Sequence, residues 1–347
     1  MTSVLDRDTA TPDADVADGG LPSESAVETS GNMKSNSSEQ GGRDRPSNGK
    51  LVALWLIVAV LMVGLVLYVV EPMFQQRTQG MLLDDYRASI DQAANQATGL
   101  GGVEVSANAP EIGSPVGILE IGPIGLQQVV IEGANSHATQ KGPGHVPGTA
   151  GPGQPGNSVV VGRSGMFGGP FDGLSRLVPG DQFVVTTTQG QSLYEVADVG
   201  SVTITDDPAA AGTSAPQVDS SLDGGSVSLA SLYGTSTDDR LTLVTSASAF
   251  PWNTGEAEVV IAVMKGKPFA PTPQNGRSSH ETGLTGDSTR WPLAMLTFLC
   301  LAAVLVAAVF LYRRSSAKIA YLLTVPALLA FALVSSESLS LLLPAWT

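Results

Sequence analysis

Three apolar runs dominate the alternation of hydrophobic and polar positions along the chain. Leu51 to Val70 is twenty residues without a charge, enough as a helix to cross ~30 Å of hydrocarbon at ~1.5 Å per residue. Trp291 to Tyr312 is the second, with an aromatic residue at each end, the placement that bilayer interfaces favour. The third, Ile319 to Leu343, holds Pro326 and is interrupted by Ser335, Ser336, Glu337 and Ser338. A charge at mid-bilayer is costly, which puts Glu337 at the interface or against a partner helix. Buried core helices have apolar runs of about 10–14 residues, shorter than these. Fifty residues precede the first run, and Val70-Glu71-Pro72 offers no small-residue cleavage site. The run therefore reads as an uncleaved anchor and not as a signal peptide.

The flanks of these spans set a topology. Arg43, Arg45 and Lys50 precede the first span and Glu71 follows it, while Arg313, Arg314 and Lys318 crowd the turn between the last two. Basic clusters stay cytoplasmic. The sequence thus predicts a multi-pass protein of the cell membrane, N-terminus inside, with residues 71–290 and Thr347 outside. Transmembrane helices are expected at 50–71, 291–312 and 319–343. Residues 1–49 are rich in Ser, Gly, Asp and Pro with almost no large apolar side chains. Such a segment buries too little to offset its ordering entropy and reads as a disordered cytoplasmic tail.

Leu83, Tyr86, Ile90, Ala93 and Ala97 recur at helical spacing, with Asp84, Asp85, Arg87 and Asp91 between them. They predict an amphipathic stalk over about 73–98, closed by Gly99-Leu100-Gly101-Gly102, within a stalk-and-linker region 72–114. The stalk either packs on the domain that follows or pairs with a second copy. From 115 to 268 the pattern shortens to β-type runs at 117–121, 126–132, 158–162, 182–188, 192–199, 240–246 and 257–264, bounded by Gly, Pro, Asp or Asn. Seven short strands without convincing helices between them predict an all-β domain, a closed barrel or a sandwich. Residues 269–290 return to Pro, Ser, Gly and Thr and read as a flexible tether.

Composition excludes several chemistries. Charged residues are 14% of the 347, and mean hydropathy is +0.16, as membrane spans require. A net charge of −14 argues against nucleic acid as a partner. The single Cys, Cys300, lies in the second apolar run, where hydrocarbon disfavours the thiolate, so it reads as a small packing residue. One Cys and three dispersed His, His137, His145 and His280, leave no expected metal site, and no cofactor is expected. The Asp residues of the loop 207–239 have no EF-hand spacing and read as solvating charge. Ala302, Ala303, Ala307 and Ala308 would let the second span pack against partner helices.

The strand segments carry a recognisable order of motifs. Gly117-Ile-Leu-Glu-Ile-Gly-Pro-Ile-Gly125, Val130 to Gly133, Gly142-Pro-Gly-His145, Pro155 to Gly162, Phe167-Gly-Gly-Pro-Phe171, Leu177 to Asp181, Tyr194-Glu-Val196 and Leu241-Thr-Leu-Val-Thr245 follow one another over about 150 residues. In that order they resemble the sortases, the membrane-anchored cysteine transpeptidases of Gram-positive cell surfaces, and look most like actinobacterial members. The resemblance implies an eight-stranded β-barrel. It also implies a substrate, an LPxTG-like sorting signal, and three site positions. The family's His falls on Arg163, its Cys on Ser246, and its Arg near Ala257, between Glu256 and Glu258.

All three positions are replaced. A Ser hydroxyl needs an adjacent base, unlike a thiolate, and Arg163 cannot supply one because guanidinium stays protonated. Glu256 and Glu258 carry the wrong sign for an oxyanion. His145 and His137 are expected as surface loop residues, not as a base for Ser246. Arg163 would hold a peptide carbonyl or carboxylate in the groove, together with His145 and Ser246, or form a salt bridge to Asp172 or Glu256. The sequence therefore points to a degenerate sortase that binds an envelope or surface-protein segment without transferring it. The alternatives are a transpeptidase or hydrolase using Ser246, and a barrel that merely spaces the stalk from the wall.

Overall fold

The structure is a computed structural model that describes residues 48–97, 106–165, 168–205, 215–216, 222–248, 250, 252–278, 280–315 and 317–347. The expected tail up to residue 47, the stalk terminator 99–102, Phe167, Asp206, Asp207 and Asp219 lie outside the described residues.

Helix α1 (Asn48–Leu65) runs through a π-helical turn, Val66–Val70, into α2 (Glu71–Ala97). The strands are β1 (Pro115–Ile121), β2 (Leu126–Glu132), β3 (Gly144–His145), β4 (Asn157–Val161), β5 (Gln182–Thr187), β6 (Gly190–Thr205), β7 (Ser226–Ser228), β8 (Arg240–Ser246) and β9 (Glu256–Met264). Short helices α3 (Ser136–Lys141) and α4 (Leu229–Leu232) interrupt them, and α5 (Trp291–Arg314) and α6 (Ala317–Leu342) follow β9. The sheet order β5-β1-β2-β3-β4-β8-β9-β6 closes on itself because β6 pairs back with β5, and β7 is added beside β6. This is the closed eight-stranded barrel. All-β describes that barrel only, since the four long helices lie outside it.

Alternation along the strands divides the apolar side chains between two faces. Leu119, Ile121, Val130, Val160, Phe183, Val185, Tyr194, Leu241, Leu243 and Val260 fill the barrel. The opposite face of β4, β8 and β9, with Val159, Val161, Val244, Ala257 and Val259, carries a second cluster completed by Leu232, Tyr233 and Trp346. A third covers β1 and β2: Ile118, Val129 and Ile131 meet Tyr86, Leu82, Leu83 and Ile90 of α2. The stalk's apolar stripe is thus buried on its own barrel. Gln79 reinforces the junction, accepting from Val129 N–H at 2.7 Å and donating to Lys141 O at 2.6 Å.

Three helices are long and apolar enough to cross a membrane, within Val52–Gln96, Ser288–Arg314 and Lys318–Leu342. Trp55, Leu301, Ala308 and Leu328 form their common contact; Ala302, Ala303 and Ala307 face outward. Residues 269–290, expected as a flexible tether, run along the barrel. Thr272 N–H donates to Gln154 (3.0 Å), Asn275 donates to Glu132 (3.1 Å), and Glu281 accepts from Ala134 N–H (2.6 Å).

Candidate functional site

Strands β4 and β8 run parallel, Val161 opposite Val244. Beyond that pair the two chains part. Gly162 N–H donates to Val244 O (3.0 Å) and the Thr245 hydroxyl to Gly162 O (2.8 Å). A Cβ on Gly162 would lie 2.5 Å from the Phe171 ring, so only glycine lets the chain turn here. The next two main-chain donors, Ser164 N–H and Ser246 N–H, converge on a single oxygen, the carbonyl of Trp346, each at 3.3 Å, and the Thr245 hydroxyl lies 3.5 Å from it.

Trp346 belongs to the segment Leu343–Thr347 that follows α6. Its side chain is fully buried among Val159, Val161, Val244, Val259 and Tyr233. Ala345 N–H donates to Gly283 O (2.8 Å), and the Ser136 hydroxyl donates to Leu343 O (2.7 Å). This segment was missed in the sequence, where 319–343 ended as a span. The available signal was an apolar Leu-Pro-Ala-Trp string directly after it.

Arg163 lies fully buried beside this segment. Its Nε donates to the Thr139 hydroxyl (3.3 Å), and one terminal nitrogen donates to Ser136 O (3.2 Å) and Ser340 O (3.3 Å). Burial pushes its pKa down to about 10, with the charge of Glu71 opposing the fall, so it remains a cation at neutral pH. Its oxygen partners are a hydroxyl and a carbonyl of α3 and a carbonyl of the last turn of α6, where a cation also meets the negative end of the helix dipole.

Residues 119–264 match the family model of the sortase domain. Over these residues the chain is similar to the sortases. Solved structures similar to the chain include a Clostridium perfringens sortase D transpeptidase (18% identity, 55% of this chain, 99% of that one, TM-score 0.39). Another is C. perfringens sortase C with the C-terminal cell wall sorting motif (21%, 53%, 89%, TM-score 0.34). A third is a sortase E variant from Streptomyces avermitilis (24%, 46%, 93%, TM-score 0.33). No curated protein matches the chain.

Within the segment that matches the family model, the structure brings Arg163, Ser246 and Ala257 to one face. Ser246 ends β8 directly opposite Ala257 of β9, and both are buried. The Ser246 hydroxyl accepts Ser248 N–H at 3.2 Å. Ala257 offers only a methyl group. Glu258, one residue on, points away from this face towards Ser175 and Asp172, and its pKa is raised by burial and by Asp172, against the bond from Ser175. Glu256 is exposed.

His145 is placed elsewhere, and it is not a surface residue. In β3 it is completely buried. Nδ1 faces Glu132 Oε2 (2.7 Å), and Nε2 faces Ala150 O (2.8 Å) and the Thr149 hydroxyl (3.1 Å). It borders a cavity of about 220 Å³ with Tyr86, Glu132 and Gln154, on the stalk side of the barrel. The loop expectation failed because β3 pairs in parallel with β2 and sets His145 opposite Glu132. His137 and His280 are exposed and line one shallow pocket with Asp287. Among the described residues, no group of three or more His, Cys, Asp or Glu side chains is placed to hold a metal ion.

Proposed function

We propose that the chain is a membrane-anchored sortase-like protein of the cell surface that binds an extended segment of an envelope or surface protein and does not transfer it. One arrangement carries this reading. The main-chain donors of Ser164 and Ser246 receive a peptide carbonyl, while the Ser246 hydroxyl accepts Ser248 N–H and, among the described residues, no His, Asp or Glu side chain is hydrogen-bonded to it. Hydrogen-bond donors aimed at a carbonyl oxygen bind and polarise it. Acyl transfer needs in addition a nucleophile that loses its proton. Arg163 is a cation without an acceptor site, and its Nε and one terminal nitrogen are engaged by Thr139, Ser136 and Ser340.

The test uses the full chain in lipid nanodiscs, an LPxTG-type peptide and an amine acceptor, followed by intact-mass spectrometry. Neither an adduct nor an exchanged product is expected. An adduct on Ser246, or a product that vanishes in Ser246→Ala, would overturn the reading and make the protein a serine transpeptidase.

A further inference from the structure

The groove over Ser246 is occupied, and its occupant is part of the same chain. Leu343–Thr347 lies on the second apolar cluster in the manner of a bound peptide. Its main chain is held at Leu343 O, Ala345 N and Trp346 O, by residues far away in sequence: Ser136, Gly283, Ser164 and Ser246. The Trp346 carbonyl takes the two N–H groups that flank the site. Its indole fills an apolar socket between β4, β8 and Tyr233.

The socket is not tailored to the indole. Trp346 Nε1 is buried and has no hydrogen-bond partner among the described residues. A buried donor left unmatched weakens the fit. The walls around it are Val, Leu, Ile and Ala side chains with Tyr233, an apolar lining that accepts any apolar group of suitable size. The polar contacts to the rest of the chain are made by main-chain atoms of the segment, which turns at Ala345 and Trp346 with Thr347 folded back on Pro344 O, so they specify a Leu-Pro-Ala backbone that turns before a large apolar fourth residue, and not one particular side chain.

We infer that Leu343–Thr347 is a resident ligand of the peptide groove, held in cis, that an external segment of the same Leu-Pro-Ala-apolar type displaces. The inference rests on the proposed peptide-binding reading and deepens it by assigning the groove's ligand class and the gate in front of it. A protein whose open state is a minor fraction binds external ligand more weakly by that fraction.

The experiment compares the full chain with a chain ending at Leu342, both in nanodiscs. The probes are a fluorescent Leu-Pro-Ala-Trp-Thr peptide, an LPxTG-type peptide and a scrambled control, read by anisotropy. The shortened chain is expected to bind the first peptide about tenfold or more tightly than the full chain. In the full chain, excess peptide is expected to accelerate hydrogen exchange at Ala345 N–H. Equal binding by both chains, or unchanged exchange at saturating peptide, overturns the resident-ligand inference and leaves peptide binding standing. Failure of a folded shortened chain to bind either peptide overturns the peptide-binding reading as well. If the shortened chain does not fold, the exchange measurement on the full chain decides alone.

Discussion

Arg163→Met removes a buried cation and keeps only the apolar stem. The side chain's hydrogen bonds go to Thr139, Ser136 O and Ser340 O, at 3.2–3.3 Å. Bonds to a charged group contribute about 1.5–3 kcal/mol each, so the three together supply roughly 4–9 kcal/mol. Against this stands the cost of burying the guanidinium. The fall of its pKa from 12.5 to about 10 corresponds to ~3 kcal/mol, which Met does not incur. The balance favours the wild type by about 3 kcal/mol, in line with the loss of about 3–5 kcal/mol when one partner of a buried charged pair is removed. The Ser340 carbonyl and Glu71 are left without the cation.

For a domain of this size that difference lowers Tm by roughly 6–12 °C. Thermal unfolding of the full chain in nanodiscs, followed by near-UV circular dichroism, measures it, with Arg176→Ala at an exposed position as the reference. Arg163→Lys keeps the charge but loses the planar fork and is expected to fall between the two. An Arg163→Met variant within ~0.5 kcal/mol of the exposed control would refute the claim that this residue ties the barrel to α6.

Three further outcomes follow from other parts of the structure. Tyr86→Ala, which strips the stalk's contact with Ile118, Val129 and Ile131, should cost about 3 kcal/mol and make the stalk cleavable in limited proteolysis, whereas a stalk held by a second copy would show protection that depends on protein concentration. Gly162→Ala drives a methyl group into the Phe171 ring and should cost about 1–3 kcal/mol by overpacking in the same unfolding assay. Glu258 has a raised pKa because burial, aided by Asp172 and opposed by Ser175, disfavours its charge. The folded state therefore holds this proton more tightly than the unfolded one, and the penalty is absent below pH 4.5 and complete above the folded value. Glu258→Gln should accordingly raise Tm at pH 7 and leave it unchanged at pH 4; an equal gain at both would show that ionisation is not the cause.

The barrel was legible because its longer strands write their environment into local alternation. β2 and β8 match their expected limits, β1, β5 and β9 differ by one or two residues at one end, and β4 is shifted by one residue at both. Strand β6 was read short, as 192–199, because Gly200 and Ser201 break the apolar run; its far half is fixed by pairing with β9 through Thr203 opposite Glu256. The two-residue β3, three-residue β7 and six-residue α3 are too short for any period to register. The stalk's stripe was visible, but what covers it was not, since Ile118, Val129 and Ile131 face outward only once β1 and β2 are placed in the barrel. The site positions were read from motif order. Their surroundings were not, because Arg163 meets Ser340 across 177 residues and Ser246 meets Trp346 across one hundred.

Two serines of the third apolar run, Ser336 and Ser340, tie α6 to the rest of the chain, Ser340 through Arg163. Ser336 donates to Glu71 (2.7 Å), Gln140 donates to Ser340 Oγ (2.6 Å), and Ser340 O accepts from Arg163 (3.3 Å). The last carbonyls of a helix have no partner within it. Here the barrel and the segment after it supply them, with Arg163 for Ser340 and Asp287 N–H for Leu341 (2.8 Å). Gly286 allows this approach, because a Cβ there would overlap the Leu342 carbonyl. The end of α6 is thus clamped one turn before Leu343, and the clamp aims Leu343–Thr347 at the groove. On the proposed reading, the residue at the family's histidine position no longer moves a proton; it holds the helix that delivers the groove's occupant. Replacing it by His would remove the clamp without supplying a nucleophile, since position 246 would still be a serine beneath Trp346. Recovery of transfer chemistry therefore requires release of the segment as well as a thiol at 246 and a base at 163, and neither replacement alone should produce an acyl adduct detectable by intact mass.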